Sequence, residues 1–378
     1  MTSFVKLFND HIEHLGVTNQ KLAEVMDVHH TTIARWRKEV GEGQKQNKPE
    51  EEKPIQCFAQ HYRLNTQELD ELLASADFKI NDKPTNQQII NPFITGQPVR
   101  YGNFFGRQAI LESLFSLWRG FPNTPMQNAA IIGDKRSGKT SLLMYLRDIV
   151  NSGAASGKLR DGQHTDWLPS DKGYNFIFVD FQDARLCNKK RLLSYILQNM
   201  RLDAEPQILS LENSNDVLAD FTDIVEKYLK KPTIILLDEF NAIVSRCPDE
   251  LDNNFWESLR SLSNNILDPQ YLGFVLAANK SPHIIAQELN KSAEFGVSPF
   301  FNIFGKSISL GNLERNEAEE LIAISPYHFS SSDINFICEI TDCQSFYVQK
   351  ACQTRLDALM FNTGDWRKTI ELFMQQHS

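Results

Sequence analysis

The chain has 378 residues, which corresponds to about two to three domains at roughly 150 residues each. Hydrophobic residues make up 41% and charged residues 23%, and this ordinary globular composition excludes a disordered or fibrous chain. Since the formal net charge is −9, the surface is not basic throughout, and any contact with nucleic acid must be local.

The sequence shows neither a clear targeting segment nor a recognisable cysteine motif. No apolar run approaches the roughly 18 to 20 residues of a membrane span, and the N-terminus lacks the pattern of a secretory signal. The six cysteines contain no Cys-x-x-Cys pair, and no nearby histidine completes a zinc pattern around Cys338, Cys343 and Cys352. We expect a cytoplasmic chain with reduced cysteines, no membrane contact and no cysteine-bound metal.

The chain divides into four regions by pattern. Residues 1–76 are a run of short amphipathic helices, and residues 77–103 are an extended connector. Apolar strands alternate with helical periods over residues 104–313, which predicts a mostly parallel α/β sheet. Residues 314–378 are helical again.

The segment Thr18–Arg37 has the spacing of a helix-turn-helix, with Thr18 as the predicted N-cap of its first helix. The residues predicted to pack the two helices together are Leu22, Ala23, Val28, Ile33 and Trp36. This segment resembles Xre/Cro-type repressor domains, in which the second helix enters the major groove of DNA. The resemblance implies that double-stranded DNA is contacted by Asn19, His30, Thr31, Thr32, Arg35 and Arg37.

The charge of this region limits the DNA hypothesis. Residues 1–76 carry nine basic and twelve acidic side chains, and DNA affinity depends largely on neutralising phosphates. We expect one copy to bind weakly, and clustering of several copies to raise the avidity. The alternative is that the helix-turn-helix contacts protein rather than DNA.

Residues Gly133–Thr140 read GDKRSGKT and fit the pattern G-x-x-x-x-G-K-[ST], between a predicted strand at Ala129–Ile132 and a predicted helix at Ser141–Val150. The glycines let successive N–H groups point at phosphate oxygens at the start of a helix. Lys139 is expected to contact the β- and γ-phosphates, and Thr140 to bind Mg²⁺. The predicted phosphate-binding set is Gly133, Asp134, Lys135, Arg136, Ser137, Gly138, Lys139, Thr140 and Ser141.

An apolar strand at Ile234–Asp238 ends in two carboxylates, Asp238 and Glu239. Open α/β sheets bind ligands at the carboxyl ends of their strands, so these side chains should lie beside the phosphate loop. Asp238 is the predicted metal ligand and Glu239 the predicted base that polarises the attacking water. The alternative is that the pair only caps the following helix.

The strand order resembles that of the additional-strand class of P-loop ATPases, because a predicted strand at Phe176–Phe181 separates the phosphate loop from the acidic pair. Two further strands are predicted at Phe274–Ala278 and Ser307–Leu310. Asn279 follows the first of these, where the resemblance implies a sensor of the γ-phosphate; a turn-forming asparagine is the alternative.

Several further motifs occur in family order, and together they resemble the STAND and origin-recognition-like branch of AAA+ ATPases. They are Asn91-Pro92-Phe93, Phe104–Arg107, Ser298–Asn302 and a lid formed by Leu313–Ile324 and Phe346–Gln349. The resemblance implies that Phe105, Gly106 and Arg107 lie near the adenine, although Phe104 and Phe105 could simply be core residues.

Two features depart from the family pattern. Asp342-Cys343-Gln344-Ser345 stands where members often have Gly-Gly before the aromatic residue of the lid, and no arginine occurs between Phe274 and Leu313, where an arginine finger is common. Arg246, Arg260 and Arg315 are the candidate substitutes. The missing arginine favours a slow switch over a fast motor, because a finger contributes about 10³–10⁵ in rate.

The combined expectation is an ATPase that binds ATP/ADP and Mg²⁺ and forms an ATP-dependent homo-oligomer. Its nucleotide state would control DNA binding in transcription control, in a mobile element or in defence, with Lys139, Glu239 and Asn279 as catalytic residues. The alternative is a non-catalytic hub that is stabilised by nucleotide and contacts a protein partner.

Overall fold

The computed structural model describes residues 3–38, 47–62, 64, 66–78, 90–151, 159, 163, 173–204, 210–290, 299–361 and 364–377. Most of the predicted connector before residue 90, and Ser298 of the family motif, lie outside these residues. The chain forms two compact units. The first contains residues 1–92, 323–334 and 353–369, and the second contains residues 93–322, 335–352 and 370–378.

Among the described residues of the N-terminal part of the first unit, the helices are α1 (Phe4–Leu15), α2 (Asn19–Met26), α3 (His30–Trp36), α4 (Lys53–His61) and α5 (Thr66–Ser75). The Thr18 side chain accepts a hydrogen bond from the backbone N–H of Lys21, so the predicted N-cap is confirmed. Of the residues predicted to join α2 and α3, Val28 is partly buried and the others are buried.

The second unit is built on a five-stranded parallel sheet with the order β2-β3-β4-β1-β5. The strands are β1 (Ala129–Ile132), β2 (Asn175–Asp180), β3 (Thr233–Asp238), β4 (Leu272–Ala278) and β5 (Lys306–Ser309). All five predicted strands are present, with ends that differ from the prediction by no more than two residues. The predicted α/β class, with the additional strand between the phosphate loop and the acidic pair, is confirmed.

Both faces of the sheet are covered, which explains why the central strands are apolar throughout. Ile235 and Leu237 of β3 pack into one hydrophobic cluster, whereas Ile234 and Leu236 pack into the other. This alternation follows from the two-residue period of a strand. The covering leaves the carboxyl ends of the strands as the edge where polar groups emerge.

In the described part of the second unit, seven α-helices and a π-helical turn accompany the sheet. The helices are α6 (Gln108–Ser116), α7 (Lys139–Asn151), α8 (Lys189–Asn199), α9 (Val217–Tyr228), α10 (Ile243–Arg246), α11 (Asn253–Ser261) and α12 (Pro282–Asn290), and the turn is Leu262–Ile266. The lid helices are α13 (Arg315–Ile322), α14 (Ser331–Thr341), α15 (Ser345–Phe361) and α16 (Trp366–His377). Within the described ranges, no helix is both long and apolar enough to cross a lipid bilayer.

The turn between α14 and α15 contains the Asp342-Cys343 pair that replaces Gly-Gly. Both residues have left-handed backbone angles, with φ of +46° and +53°. The Cys343 carbonyl accepts a hydrogen bond from Leu313 N–H (3.0 Å), which fixes this turn against the residue that precedes α13. Left-handed angles are the usual reason for glycine at such a position, so this chain keeps the backbone shape without the residue that adopts it most easily.

The prediction that all cysteines are reduced is wrong for one pair. Cys187 and Cys247 form a disulfide, with Cα atoms 5.1 Å apart across a sequence separation of 60 residues. Cys187 ends a turn that follows β2 and Cys247 follows α10, so the neighbouring strands β2 and β3 bring the two together. Spacing in the sequence could not show this proximity. The other four cysteines are free thiols, and none of the described His, Cys, Asp and Glu residues form a metal-binding cluster of three or more.

Candidate functional site

A cavity of about 650 Å³ opens at the carboxyl edge of the sheet in the second unit. One wall is the segment Ile94–Val99, which we call the strap. The floor is the end of the phosphate loop with the start of α7, and Gln182 and Glu239 close one side. The opposite wall belongs to the lid and contains Ser345, Phe346, Gln349, Lys350 and Phe373.

The phosphate loop, Gly133–Gly138, requires glycine at two positions. Gly138 has φ of +99°, and a Cβ atom at Gly133 would lie 2.7 Å from Ser137 Oγ and 2.8 Å from the Leu310 carbonyl oxygen. Arg136 also has a positive φ, of 67°. The loop leads directly into α7, so its N–H groups lie at the positive end of a 13-residue helix.

Lys139 is buried inside this loop, with 6% of its surface exposed. Its Nζ donates hydrogen bonds to the carbonyl oxygens of Gly133 and Asp134, both at 2.8 Å. Burial lowers the pKa of Lys139, while the carboxylates of Glu239, Asp238 and Asp134 raise it in opposition. The loop therefore holds one desolvated cation beside three acidic side chains.

Asp238 ends β3 and is 1% exposed, and its Oδ1 atom has no hydrogen-bond partner among the described residues. Burial raises the pKa of Asp238 to about 6, whereas the neighbouring Thr140 hydroxyl lowers it. The carboxylates of Glu239 and Asp180 add to the increase. The lysine-threonine pair and the acidic pair thus meet at one place, as the sequence motifs predict.

This donor set fits Mg²⁺. The ion prefers oxygen ligands and is usually held in nucleotide sites by one or two protein oxygens together with substrate phosphates. Asp238 supplies a buried carboxylate oxygen without a partner, and Thr140 supplies a hydroxyl close to it. A buried carboxylate of this kind is costly unless a cation compensates it.

Glu239 follows Asp238 with a left-handed backbone, φ +49° and ψ +39°. Non-glycine residues rarely adopt this conformation, and it tends to occur at functional positions. Here it starts a short turn, Phe240–Ala242, and its side chain lines the cavity while Asp238 stays buried. The two consecutive carboxylates are therefore separated: Asp238 lies beside the phosphate loop, and Glu239 faces the open cavity.

Asn279 is not brought to the cavity. It follows β4, is exposed, and does not line the cavity. Its backbone N–H donates a hydrogen bond to the Asn241 side chain at 3.3 Å. The turn after Glu239 thus ties the end of β4 to the end of β3, and Asn241 is a residue that the sequence reasoning did not single out.

The Phe-x-Gly-Arg motif lies at a second, smaller cavity of about 50 Å³, whose lining includes Phe104, Phe105 and Arg107. Gly106 has φ of +66°, and a Cβ atom there would meet the Glu317 carboxylate at 2.4 Å. Arg107 is buried, and its guanidinium donates to the carbonyl oxygens of Gly311 (2.6 Å), Asn312 (2.8 Å) and Ser137 (3.3 Å). Those bonds link the phosphate loop to the segment that leads into the lid.

Each of the three arginines that could replace the missing arginine finger either makes contacts within the chain or is partly buried. Arg246 donates to the Gln182 carbonyl oxygen at 2.8 Å, and Arg315 pairs with Glu319 at 2.8 Å. Arg260 has a buried Nε without a partner among the described residues. None of the three lines the cavity.

The predicted DNA-contacting residues lie on α2 and α3 of the first unit. His30, Thr31 and Arg35 are exposed, and Thr32 is half-buried. Arg37 donates to Asn19 Oδ1 (2.6 Å) and to Asn9 Oδ1 (3.0 Å), so these two predicted residues bind each other and α1.

The strap and part of the cavity wall were not predicted from motifs, whereas Phe346–Gln349 belongs to the predicted lid. The sequence offered no spacing signal for Gln182, Lys350 or Phe373, because each reaches the cavity through the tertiary fold. Phe346 stacks against the Arg136 guanidinium, with 4.4 Å between the guanidinium carbon and the ring centroid. This contact joins the phosphate loop to the first turn of α15.

Comparison with known proteins supports the same core. Residues 125–281 match the family model described as AAA domain. The structure is similar to that of the Aeropyrum pernix ORC2 protein in its ADPNP-ADP complexes, with a TM-score of 0.51, 14% identity and coverage of 74% of this chain and 71% of that chain. No curated protein matches the chain.

Two other structures are similar at a lower score. The Walker-type ATPase PABY2304 of Pyrococcus abyssi has a TM-score of 0.49 and 13% identity, with 76% of each chain covered. The ADP form of the Aeropyrum pernix ORC2 protein has a TM-score of 0.46 and 13% identity, with 74% of this chain and 71% of that chain covered. Residues 125–281, which lie within the second unit, therefore resemble an AAA domain, and a P-loop core of this kind supports nucleotide binding.

Proposed function

We propose that the chain is a cytoplasmic, Mg²⁺-dependent ATPase that acts as a slow regulatory switch. In this proposal the nucleotide state controls assembly into a homo-oligomer and DNA binding by the N-terminal helix-turn-helix, as in the STAND and origin-recognition-like branch. The observation that carries the proposal is the meeting of Thr140 with the buried Asp238 carboxylate, whose Oδ1 atom has no partner among the described residues, beside Lys139 and Glu239.

The phosphates of ATP would bind along the phosphate loop at the start of α7. Lys139 now satisfies its charge with two carbonyl oxygens of its own loop. A carbonyl is a weaker partner for an ammonium than a phosphate oxygen, since charge-assisted hydrogen bonds between ions are stronger. Lys139 is thus already positioned to move to the β- and γ-phosphates.

Thr140 and Asp238 would hold Mg²⁺, which when bound neutralises charge on the phosphate oxygens. Glu239 would orient a water molecule towards the γ-phosphorus and accept its proton. The water oxygen forms the new bond to phosphorus as the bond to the ADP oxygen breaks, and the products are ADP and inorganic phosphate. Glu239 returns the proton to solvent.

The slow rate follows from the charge around the cavity. None of the described arginines beyond the phosphate loop lines the site, and Arg246, Arg260 and Arg315 lie outside it. Without a finger, charge developing on the transferred phosphoryl group is stabilised by Lys139, the loop N–H groups and Mg²⁺ alone. Such a rate suits a timed switch rather than a motor.

DNA binding would use the exposed side chains of α3, with Arg35 as the main cation. A second candidate function is protein binding by the same helix-turn-helix, and one observation favours it. Arg37 and Asn19 are already hydrogen-bonded to each other, which removes two of the six expected DNA contacts from the free surface. A net-acidic module with few available cations has weak attraction for phosphates.

The test of the ATPase is release of phosphate from ATP by wild type and by Glu239→Gln, with Mg²⁺ and with chelator. We expect Mg²⁺-dependent turnover that falls about 100-fold or more in the variant, because a positioned base contributes about 10²–10⁴. Glu257→Gln, at an exposed position of α11, is the control and should leave turnover unchanged. If wild type shows no Mg²⁺-dependent turnover above Glu239→Gln, the non-catalytic hub is the better description.

A further inference from the structure

The strap is held at its two ends by different parts of the second unit. At one end, the Val99 N–H donates to Ser141 Oγ on α7, at 3.1 Å. At the other end, the Ile94 N–H donates to Gln349 Oε1 on α15, at 3.0 Å. One anchor therefore belongs to the core and the other to the lid.

Gln349 is suited to this task by its burial. It is 6% exposed and lines both cavities, so its amide is a buried polar group that must be satisfied. The bond to Ile94 fixes the carbonyl end of the amide, and with it the orientation of the whole side chain. If the side chain lost this acceptor, the Ile94 N–H would be left unpaired at a partly buried position.

The length of the strap limits how far the lid can move. An extended chain spans at most about 3.3–3.6 Å per residue, so the five steps from Ile94 to Val99 reach roughly 18 Å. A lid that carries Gln349 beyond this reach must therefore release one anchor. A lid held down by a ligand keeps both anchors in place.

We propose that Gln349 is a positioning residue for nucleotide: it holds the strap as a wall of the cavity, so that nucleotide binding and closure of the strap are coupled. This inference rests on the proposed function, since it concerns the same cavity. The strap lies just after residue 92, the last residue of the N-terminal segment of the first unit. Through this coupling, nucleotide binding would also restrain the chain segment that precedes the strap.

The experiment measures hydrogen exchange at the strap amides in the full chain, for wild type, Gln349→Leu and Gln349→Glu. Leucine has a similar size and lacks the acceptor, whereas glutamate keeps one. Without nucleotide, we expect exchange at Ile94 to be about tenfold faster in Gln349→Leu, because a single hydrogen bond contributes roughly 0.5–1.5 kcal/mol. Gln349→Glu should resemble wild type in this measurement. Gln376→Leu, the same change at an exposed position of α16, is the control.

The second measurement adds Mg²⁺ and a non-hydrolysable ATP analogue at saturation. Wild type should gain protection across the strap, and Gln349→Leu should not, while its KM for ATP rises about tenfold with kcat little changed. Equal exchange at Ile94 in wild type and Gln349→Leu, or equal protection by the analogue in both, overturns the proposal. Direct titration of the analogue separates this from the proposed function: if wild type binds none, that function fails, and the nucleotide-free comparison still decides the role of Gln349.

Discussion

The phosphate loop and the helix-turn-helix differ in how their predicted functional groups are satisfied. Around the loop, Asp238 has an unpaired buried oxygen and Lys139 is desolvated. On α2 and α3, the predicted groups are either exposed to water or, like Arg37, hydrogen-bonded to neighbours. A buried ligand site without its ligand contains polar groups without hydrogen-bond partners and side chains with shifted pKa values. On an exposed binding surface, water supplies those hydrogen bonds, so the structure shows no such signs. The fold therefore argues more strongly for nucleotide than for DNA.

The largest expected effect that would test this difference between the two regions is the loss of nucleotide affinity on substitution of Lys139. We expect Lys139→Met to weaken binding of an ATP analogue by at least about 100-fold, because hydrogen bonds to charged groups contribute roughly 1.5–3 kcal/mol each. Titration calorimetry measures the change. Lys230→Met, at an exposed position that does not line the cavity, is the matched control and should change affinity less than about threefold. Similar losses in both variants would mean that the buried position of Lys139 is unimportant.

The next effect concerns stability without ligand. Asp238→Asn should raise the free energy of unfolding by about 2 kcal/mol at pH 8, because it removes a buried carboxylate while keeping its shape. Burial raises the pKa of Asp238 in the folded chain to about 6 from an ordinary value of 3.8, and a shift of this size sets a ceiling of about 3 kcal/mol.

The stability gained by Asp238→Asn should depend on pH, and the direction of that dependence follows from the raised pKa of Asp238. The folded state penalises the charged carboxylate, so the penalty is complete above pH 6 and fades as the pH falls from 6 towards 4, where the acid is protonated in both states. Denaturant unfolding at pH 8 and pH 4 measures the difference. A gain that is equal at both values would show that the charge of Asp238 is not its cause. Mg²⁺-dependent phosphate release should be lost in the same variant.

A smaller effect tests the helix-turn-helix. Arg35→Ala should reduce the salt slope of duplex DNA binding by about 1 and leave thermal stability unchanged, since Arg35 is exposed. Arg37→Ala should instead lower the free energy of unfolding by about 1–2 kcal/mol, because its partners on α1 and α2 lose their hydrogen bonds. Retention of DNA that is unaffected by Arg35→Ala would favour the protein-binding function.

The smallest effect is at the turn before α15. Cys343→Gly should stabilise the chain by about 0.5–1 kcal/mol, because φ is +53° there and glycine adopts this angle without steric cost. Cys343→Ala keeps the steric cost and should show no gain. Thermal melts of both variants against wild type measure the difference. A gain in the alanine variant would point to the thiol rather than to the backbone.

The sequence predicted those parts of the structure that depend on local pattern. The strands were found because apolar runs such as β3 are buried on both faces, and the phosphate loop because its glycines occur at fixed spacing. The strap anchors were not predictable, since Ile94 and Gln349 are 255 residues apart and their bond exists only after folding. The same reason hid the Cys187–Cys247 pair. The family resemblance predicts Arg107 near the adenine. Its hydrogen bonds to three carbonyl oxygens, which link the phosphate loop to the segment that leads into the lid, could be seen only in the structure.

The helices α14, α15 and α16 each begin in one compact unit and end in the other. Residues 323–334 and 353–369 complete the unit that contains the N-terminal helices, so no single cut in the chain releases either unit whole. The hydrophobic cluster of the N-terminal helices lies between Phe4 and Phe78. Exchange of the first 92 residues would therefore carry this whole cluster and leave the two C-terminal segments of the first unit behind.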